Sequence, residues 1–160
     1  MTARAPHLLV LVGIPGSGKS TYASRLQARC PGLRIVSPDA IRQELYPGYE
    51  EGRVDVRHID DHRIFRLAYA ALAEALHAGR DVLFDATNLT RARRSKLLRL
   101  GRRAGAVITA RYFPISLSEA FRRNRLRPRQ VPPGAIAHLA KMLAPPDPSE
   151  GFDRIVVHRQ

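Results

Sequence analysis

Two hydrophobic rhythms alternate along this chain. Leu8, Leu9, Val10, Leu11 and Val12 form an unbroken apolar run, the pattern of a strand buried on both faces. Apolar-rich runs over 33–36, 82–84, 106–113 and 155–157 read as further strands. Between them the spacing turns helical. Ile64, Ala68, Ala71, Leu72, Ala75 and Leu76 recur three and four residues apart within 57–77, and Gly79 stands where such a helix ends. Further helices are predicted over 21–29, 39–45, 91–104, 117–126 and 134–143, with Pro47, Gly48, Gly105, Pro145 and Pro146 as stops. The stretch 46–54 reads as a turn-rich loop. Strands alternating with helices predict an α/β fold in three layers, with a mostly parallel, five-stranded sheet. No repeat or linker interrupts the pattern, so one domain over 1–160 is expected, with a lid at about 122–133.

The junction of the first strand and first helix carries the most chemistry. Gly13, Ile14, Pro15, Gly16, Ser17, Gly18, Lys19 and Ser20 match G-x-x-x-x-G-K-[ST] at every fixed position, and Thr21 opens the helix. Strand, glycine loop and helix together make a phosphate-binding loop. Small residues let successive backbone N–H groups point into one concavity, and the helix N-terminus adds partial positive charge. Lys19 is placed to reach the β- and γ-phosphates, and the Ser20 hydroxyl to ligate Mg²⁺. Gly13, Pro15, Gly16, Ser17, Gly18, Lys19, Ser20 and Thr21 are therefore the expected binding residues for ATP or another nucleoside triphosphate.

Three other places draw attention. Asp85 ends an apolar strand, where proteins with such loops hold Mg²⁺ directly or through water; the competing role of helix cap falls better to Thr90. Asp39 follows the second strand, at the edge where α/β sheets bind ligands; it reads either as a helix cap or as a general base. Arg42, three residues on, shares its helical face and could meet a substrate phosphate. The segment from Arg122 to Arg129 is the densest basic cluster. Its prolines make part of it loop, and Arg123 and Arg127 could close over ATP. An exposed charged face is the plainer account of that run. His58, Asp61 and His62 have a metal-like spacing but lack a third cluster of ligands, so a solvated helix start is expected. The arginines over 91–103 read mostly as an exposed face.

Bulk properties narrow the class. With 27 basic and 14 acidic residues the formal net charge is +13, and all but three of the basic residues are arginines. Such a surface attracts polyanions, although a bias toward arginine also explains abundance. The single Cys30 excludes an internal disulfide and suits a reducing compartment. No apolar run reaches membrane-spanning length, and Met1–Pro6 is too short and too polar for a secretory signal; a cytoplasmic location with no membrane partner is expected.

GIPGSGKST at 13–21, PDAIRQ at 38–43, DATNLT at 85–90, and RRNRLR at 122–127 followed by Val131 and Pro132 together resemble the kinase domains of polynucleotide 5′-hydroxyl kinases. These end-healing enzymes lie in the adenylate-kinase-like branch of P-loop phosphotransferases, and the resemblance covers nearly the whole chain. It implies a general-base Asp39, a phosphate-clamping Arg42, an ATP-contacting Arg127 and a 5′-hydroxyl DNA or RNA end as acceptor. Two positions depart from the pattern: Ala40 follows the base where family members often carry a polar residue, and Ala86 stands where some place the acid of the third motif. No D-x-D-x-T phosphatase motif is present. The expected reaction is transfer of the γ-phosphate of a nucleoside triphosphate to that hydroxyl, with Mg²⁺. Two rivals share the motifs: a kinase of a small metabolite, nucleoside or antibiotic, and a non-catalytic nucleotide-dependent binding module.

Overall fold

The computed structural model describes residues 4–159, so the beginning of Met1–Pro6 lies outside it. The strands are β1 (His7–Val12), β2 (Arg34–Val36), β3 (Val82–Phe84), β4 (Val107–Tyr112) and β5 (Arg154–Val157). The helices are α1 (Lys19–Arg29), α2 (Pro38–Leu45), α3 (Asp61–His77), α4 (Arg91–Arg103), α5 (Leu117–Asn124) and α6 (Pro133–Met142). All strand pairs are parallel, in the order β2-β3-β1-β4-β5. The α/β reading and the five strands therefore stand. Among the described residues no helix is long and apolar enough to cross a membrane.

β1 lies at the centre because it is apolar on both faces. Leu8, Val10 and Val12 point to one side, into a core completed by Ala68, Leu72 and Leu76 of α3 and Leu97 and Leu98 of α4. Leu11 and Leu9 point to the other, against Ala23, Tyr22 and Leu26 of α1. A third cluster joins Ile14 of the glycine loop and Leu89 to Ala120 and Ile136, which seats α5 and α6 over the upper edge of the sheet. Burial of these side chains is the main favourable term holding the layers together.

The expected boundaries shift where local caps decide. The helix expected from residue 57 starts at Asp61. Asp55 accepts from the Arg57 N–H and closes a separate turn at Val56–His58, and Asp60 accepts from Arg63 to start α3 afresh. The lid helix stops at Asn124 instead of running to 126. The exposed-face reading of the 91–103 arginines fails at Arg94, which is fully buried. Its guanidinium is paired with Glu150 at 2.7 Å, and it also donates to the carbonyls of Asn88, Leu89 and Ala144. Glu150 comes from a short turn (Pro148–Glu150) far along the chain, so helical spacing alone could not announce the pair.

Candidate active site

The glycine loop sits at the carboxyl end of β1. Gly16 and Gly18 have φ of 86° and 96°, a region that side-chain-bearing residues avoid. Gly13 is confined by packing instead: a Cβ there would lie 2.6 Å from the Ser17 hydroxyl. No side chain caps α1, so its first N–H groups are left to the cleft, as anion binding requires. Lys19, at the first position of α1, is 8% exposed. Its ammonium donates to the Ile14 carbonyl at 3.0 Å and to Ser17 at 3.3 Å, which curls the side chain back over the loop. Burial pulls Lys19 down to about 8; Asp85 opposes this, Arg127 adds to it, and Asp39 opposes it.

Two carboxylates face the loop from neighbouring strands. Asp85 directly follows β3, and its N–H is fixed to the Val36 carbonyl at 2.9 Å. Its carboxylate accepts the Ser20 hydroxyl. Burial pushes the Asp85 carboxyl up, against the pull of Lys19 and Ser20. Two hard oxygen donors beside a phosphate loop fit Mg²⁺, which takes few protein ligands and completes its shell with phosphate oxygens and water. Among the described residues there is no group of three or more His, Cys, Asp or Glu that could hold a metal ion, so His58, Asp61 and His62 form none. Thr90, not Asp85, caps α4.

Asp39 does not cap α2. Ser37 does, accepting from the Ala40 N–H, with Pro38 in the first turn. The Asp39 carboxylate is instead held sideways. Arg42 reaches Oδ1 at 2.7 Å and the Tyr49 hydroxyl donates to the same oxygen at 3.0 Å. No described donor is placed on Oδ2. Arg42 turns its other edge to Asp61 at 2.8 Å. Burial works against the Arg42 charge, but Asp61 and Asp39 more than offset it and raise its pKa.

Tyr49 is not legible as a site residue, and Asp61 stands out in the sequence only by its spacing from two histidines, not as a partner of Arg42. Tyr49 lies in the 46–54 loop, turned by Gly48, and is 6% exposed. Burial, with Asp39 beside it, pushes its phenol up to about 12, so it remains a donor across the working range. A Tyr immediately after a Pro-Gly turn is the one available signal.

The segment expected to act as a lid is a closed bracket. Asn124 is buried and exchanges two hydrogen bonds with Val131, at 2.7 and 2.9 Å, which ties residues 124–131 into a loop. Arg123 is braced by Glu119 at 2.8 Å and approaches the Gly16 carbonyl at 3.5 Å. Arg127 enters the cleft, close enough to act electrostatically on Lys19 and Asp85. Arg129 lies 4.4 Å over the Tyr49 ring, so the lid also touches the 46–54 loop. Lys19, Ser20, Asp39, Asp85, Arg123 and Arg127 line one cleft of about 340 Å³.

A side recess of about 270 Å³ opens beyond Gly18, between Thr21, Tyr22, Arg25, Arg123 and His158. His158 stacks on Phe113 with centroids 4.5 Å apart and meets Tyr22 edge-on at 5.5 Å. Neither His158 nor Arg111, whose guanidinium lies 4.7 Å over Tyr22, was picked out from the sequence.

Known proteins resemble this chain in sequence and fold. A candidate bifunctional polynucleotide kinase/RNA ligase of Autographa californica nuclear polyhedrosis virus is 26% identical over 133 residues, which is 78% of this chain; the chain spans about a fifth of it (19%). A chain of the Pnkp1/Rnl/Hen1 RNA repair complex superposes with a TM-score of 0.71 at 26% identity, covering 89% of this chain and 45% of that one. A gluconokinase from Sinorhizobium meliloti superposes with a TM-score of 0.64 at 26% identity, covering 96% of this chain and 82% of that one. The AAA domain family model AAA_33 matches residues 8–146. That span runs from the first strand through the phosphate loop, both carboxylates and the whole arginine lid, and the chain belongs to this family of P-loop, kinase-like domains.

Proposed function

We propose that residues 1–160 form one kinase domain that moves the γ-phosphate of ATP, or another nucleoside triphosphate, to the 5′-hydroxyl end of DNA or RNA. The observation that carries this reading is the position of Asp39, whose carboxylate lines the same cleft as Lys19 and Arg127. The relatives named for polynucleotide kinase and RNA repair support a nucleic-acid acceptor.

In this reading the triphosphate lies on the N–H groups of residues 13–21. Lys19 leaves its carbonyl partner for the β- and γ-oxygens. The side recess takes the base against His158 and Arg123. The acceptor hydroxyl gives its proton to Oδ2 of Asp39 while its oxygen bonds to the γ-phosphorus. The bond to the β–γ bridging oxygen breaks, and ADP leaves with that oxygen. Tyr49 and Arg42, both on Oδ1, fix the plane of the carboxylate so that Oδ2 faces the hydroxyl. Arg42 also holds the phosphate that follows the accepting end, exchanging Asp61 for it. Arg127 and Lys19 stabilise the charge on the transferring group in a site the lid shields from water. Ser20 and Asp85 would hold Mg²⁺, which when bound supplies charge neutralisation at the phosphate oxygens. One exposed cysteine fits a reducing, cytoplasmic setting.

The test is direct. γ-Labelled ATP and Mg²⁺ are incubated with matched oligonucleotides ending in 5′-hydroxyl or 5′-phosphate. Label is expected on the hydroxyl ends alone, and Lys19→Ala is expected to lower it at least a hundredfold, on the order of 3 kcal/mol of transition-state stabilisation. One comparison favours a second reading. The gluconokinase match covers most of both chains, which supports a sugar or other small-molecule acceptor. Label on such an acceptor, with none on any oligonucleotide, would establish that reading instead.

A further inference from the structure

The positive charge of this chain is not uniformly compensated. Arginines whose partners are seen in the structure mostly meet an acid: Arg4 with Asp81, Arg57 with Asp55, Arg122 with Glu119 and Arg94 with Glu150. Arg93 and Lys96 on α4 belong to the larger group of basic residues without such a pair. Both are exposed, and neither has an acidic partner among the described residues. Each lies over an aromatic ring of α3 instead. The Arg93 guanidinium is 4.2 Å from the Phe65 centroid, and the Lys96 ammonium is 4.7 Å from that of Tyr69.

The two rings are neighbours, 5.8 Å apart, and Tyr69 is braced from below by the buried Phe84 at 6.0 Å. Phe65 has a second cation, Arg42, at 5.7 Å. Arg42 in turn holds Asp39. A continuous line therefore leaves the candidate base: Asp39, Arg42, Phe65 with Arg93, then Tyr69 with Lys96. Face contact with a ring restrains a cation without neutralising it. Such cations bind a phosphate with less ordering cost than mobile ones.

We propose that this α3–α4 face is the track along which a single-stranded polynucleotide runs away from its reacting 5′ end. It rests on the reading of the acceptor given above and extends it from an end group to a strand. Arg42 meets the first phosphate, and Arg93 and Lys96 meet later ones. Charge complementarity and continuity with the site favour a nucleic acid over an acidic protein.

The test measures KM and equilibrium affinity for 5′-hydroxyl oligonucleotides of two to about twelve nucleotides across a salt series. In the wild type both should improve with length. Arg93→Gln/Lys96→Gln should flatten that gain. Each single-strand phosphate contact contributes about 0.7 to the slope of log affinity against log salt, so the double variant should lose about 1.4 from the slope and about tenfold or more in affinity near 0.1 M salt. Arg93→Lys/Lys96→Arg, which keeps both charges, should restore the gain. Arg80→Gln/Arg103→Gln, the same charge loss at exposed positions off the line, should leave the length dependence as in wild type. Persistence of the length gain in Arg93→Gln/Lys96→Gln overturns the track. So does a wild type that phosphorylates 5′-hydroxyl ends with no length gain. If no oligonucleotide is phosphorylated, the proposed function fails, and affinity alone decides the track: binding insensitive to the Gln pair overturns it. Polyglutamate binding this face as tightly as the oligonucleotide, with the same response to the Gln pair, would assign the face to an acidic protein and overturn it as well.

Discussion

Two arginines, one in the first turn of α4 and one in the last turn of α2, make ion pairs of the same length and have opposite fates. Arg94 and Glu150 meet at 2.7 Å with side chains 0% and 3% exposed. Arg42 meets Asp39 at 2.7 Å, but here the exposures are 15% and 50%, and the second partner, Asp61, is 67% exposed. Arg94 donates only to acceptors that belong to the fold, among them three backbone carbonyls. Arg42 is buried along its stem while its partners stand in water. An exposed carboxylate gives up an arginine to a phosphate at little cost, because water replaces the arginine; a buried one does not. The length of a salt bridge thus says little about its role, and the exposure of the carboxylate says much.

Four outcomes would break or sharpen that contrast. Asp39→Asn carries the largest expected effect. It keeps the shape and the neighbours but removes the proton acceptor, so turnover should fall by about 10²–10⁴-fold. Thermal unfolding of the same variant should move little, since Ser37 and not Asp39 caps α2. Near-normal turnover would reduce the Asp39–Arg42 pair to a structural one. Arg94→Met should do the reverse. It strands Glu150 in the core and frees the carbonyls of Asn88, Leu89 and Ala144, costing about 3–5 kcal/mol. For a chain of this size that is a loss of roughly 6–20 °C in Tm. Replacing Glu150 by Leu in the same protein should recover much of it, and a Tm unchanged by Arg94→Met would remove the distinction drawn here.

Arg42→Lys comes next. It keeps the charge but loses the fork that spans two oxygens at once, so KM for the acceptor should rise about tenfold with ATP affinity unaltered. A change in ATP affinity alone would move Arg42 from the acceptor to the donor side. The smallest effect concerns pH. Burial, with Arg111 nearby, lowers the His158 pKa below its ordinary value. The unfolded chain therefore takes up the proton first, and stability is whole above about pH 6.5 and lost as pH falls below it. A small decline in Tm from pH 7 to about 5 is expected in the wild type and should be absent in His158→Phe, which keeps the ring stack. A decline of equal size in both proteins would place the titrating group elsewhere.

What could be read from the sequence was what is local. The phosphate loop is contiguous, and its glycines, lysine and serine fix one another's geometry within a few residues. The strands announced themselves because the parallel sheet buries both of their faces. Ser37 could have been read too, as a serine before a proline at a helix start. The distant partners of Arg42 and Arg94 could not. Asp61 stands 19 residues beyond Arg42, and Glu150 stands 56 beyond Arg94. Such pairs depend on which helices the sheet brings together, and nothing in the spacing of charges along one helix records that. Tyr49 was hidden differently: an aromatic in a loop with a turn signal looks like surface until the lid arginine covers it.

The position of β1 at the centre of the sheet has a consequence in time. Its ladder with β4 pairs His7 with Val107 and Val12 with Tyr112, so contacts that support the phosphate loop close over a hundred residues of chain. Local helices such as α3 and α4 have no such wait. Contacts this distant in sequence form slowly, because the loop-closing entropy is met before any pairing repays it. During synthesis the loop at 13–20 is made about a hundred residues before β4, and its flank stays open until β4 follows. A loop written in a few contiguous residues is thus completed only by a strand about a hundred residues further along the chain.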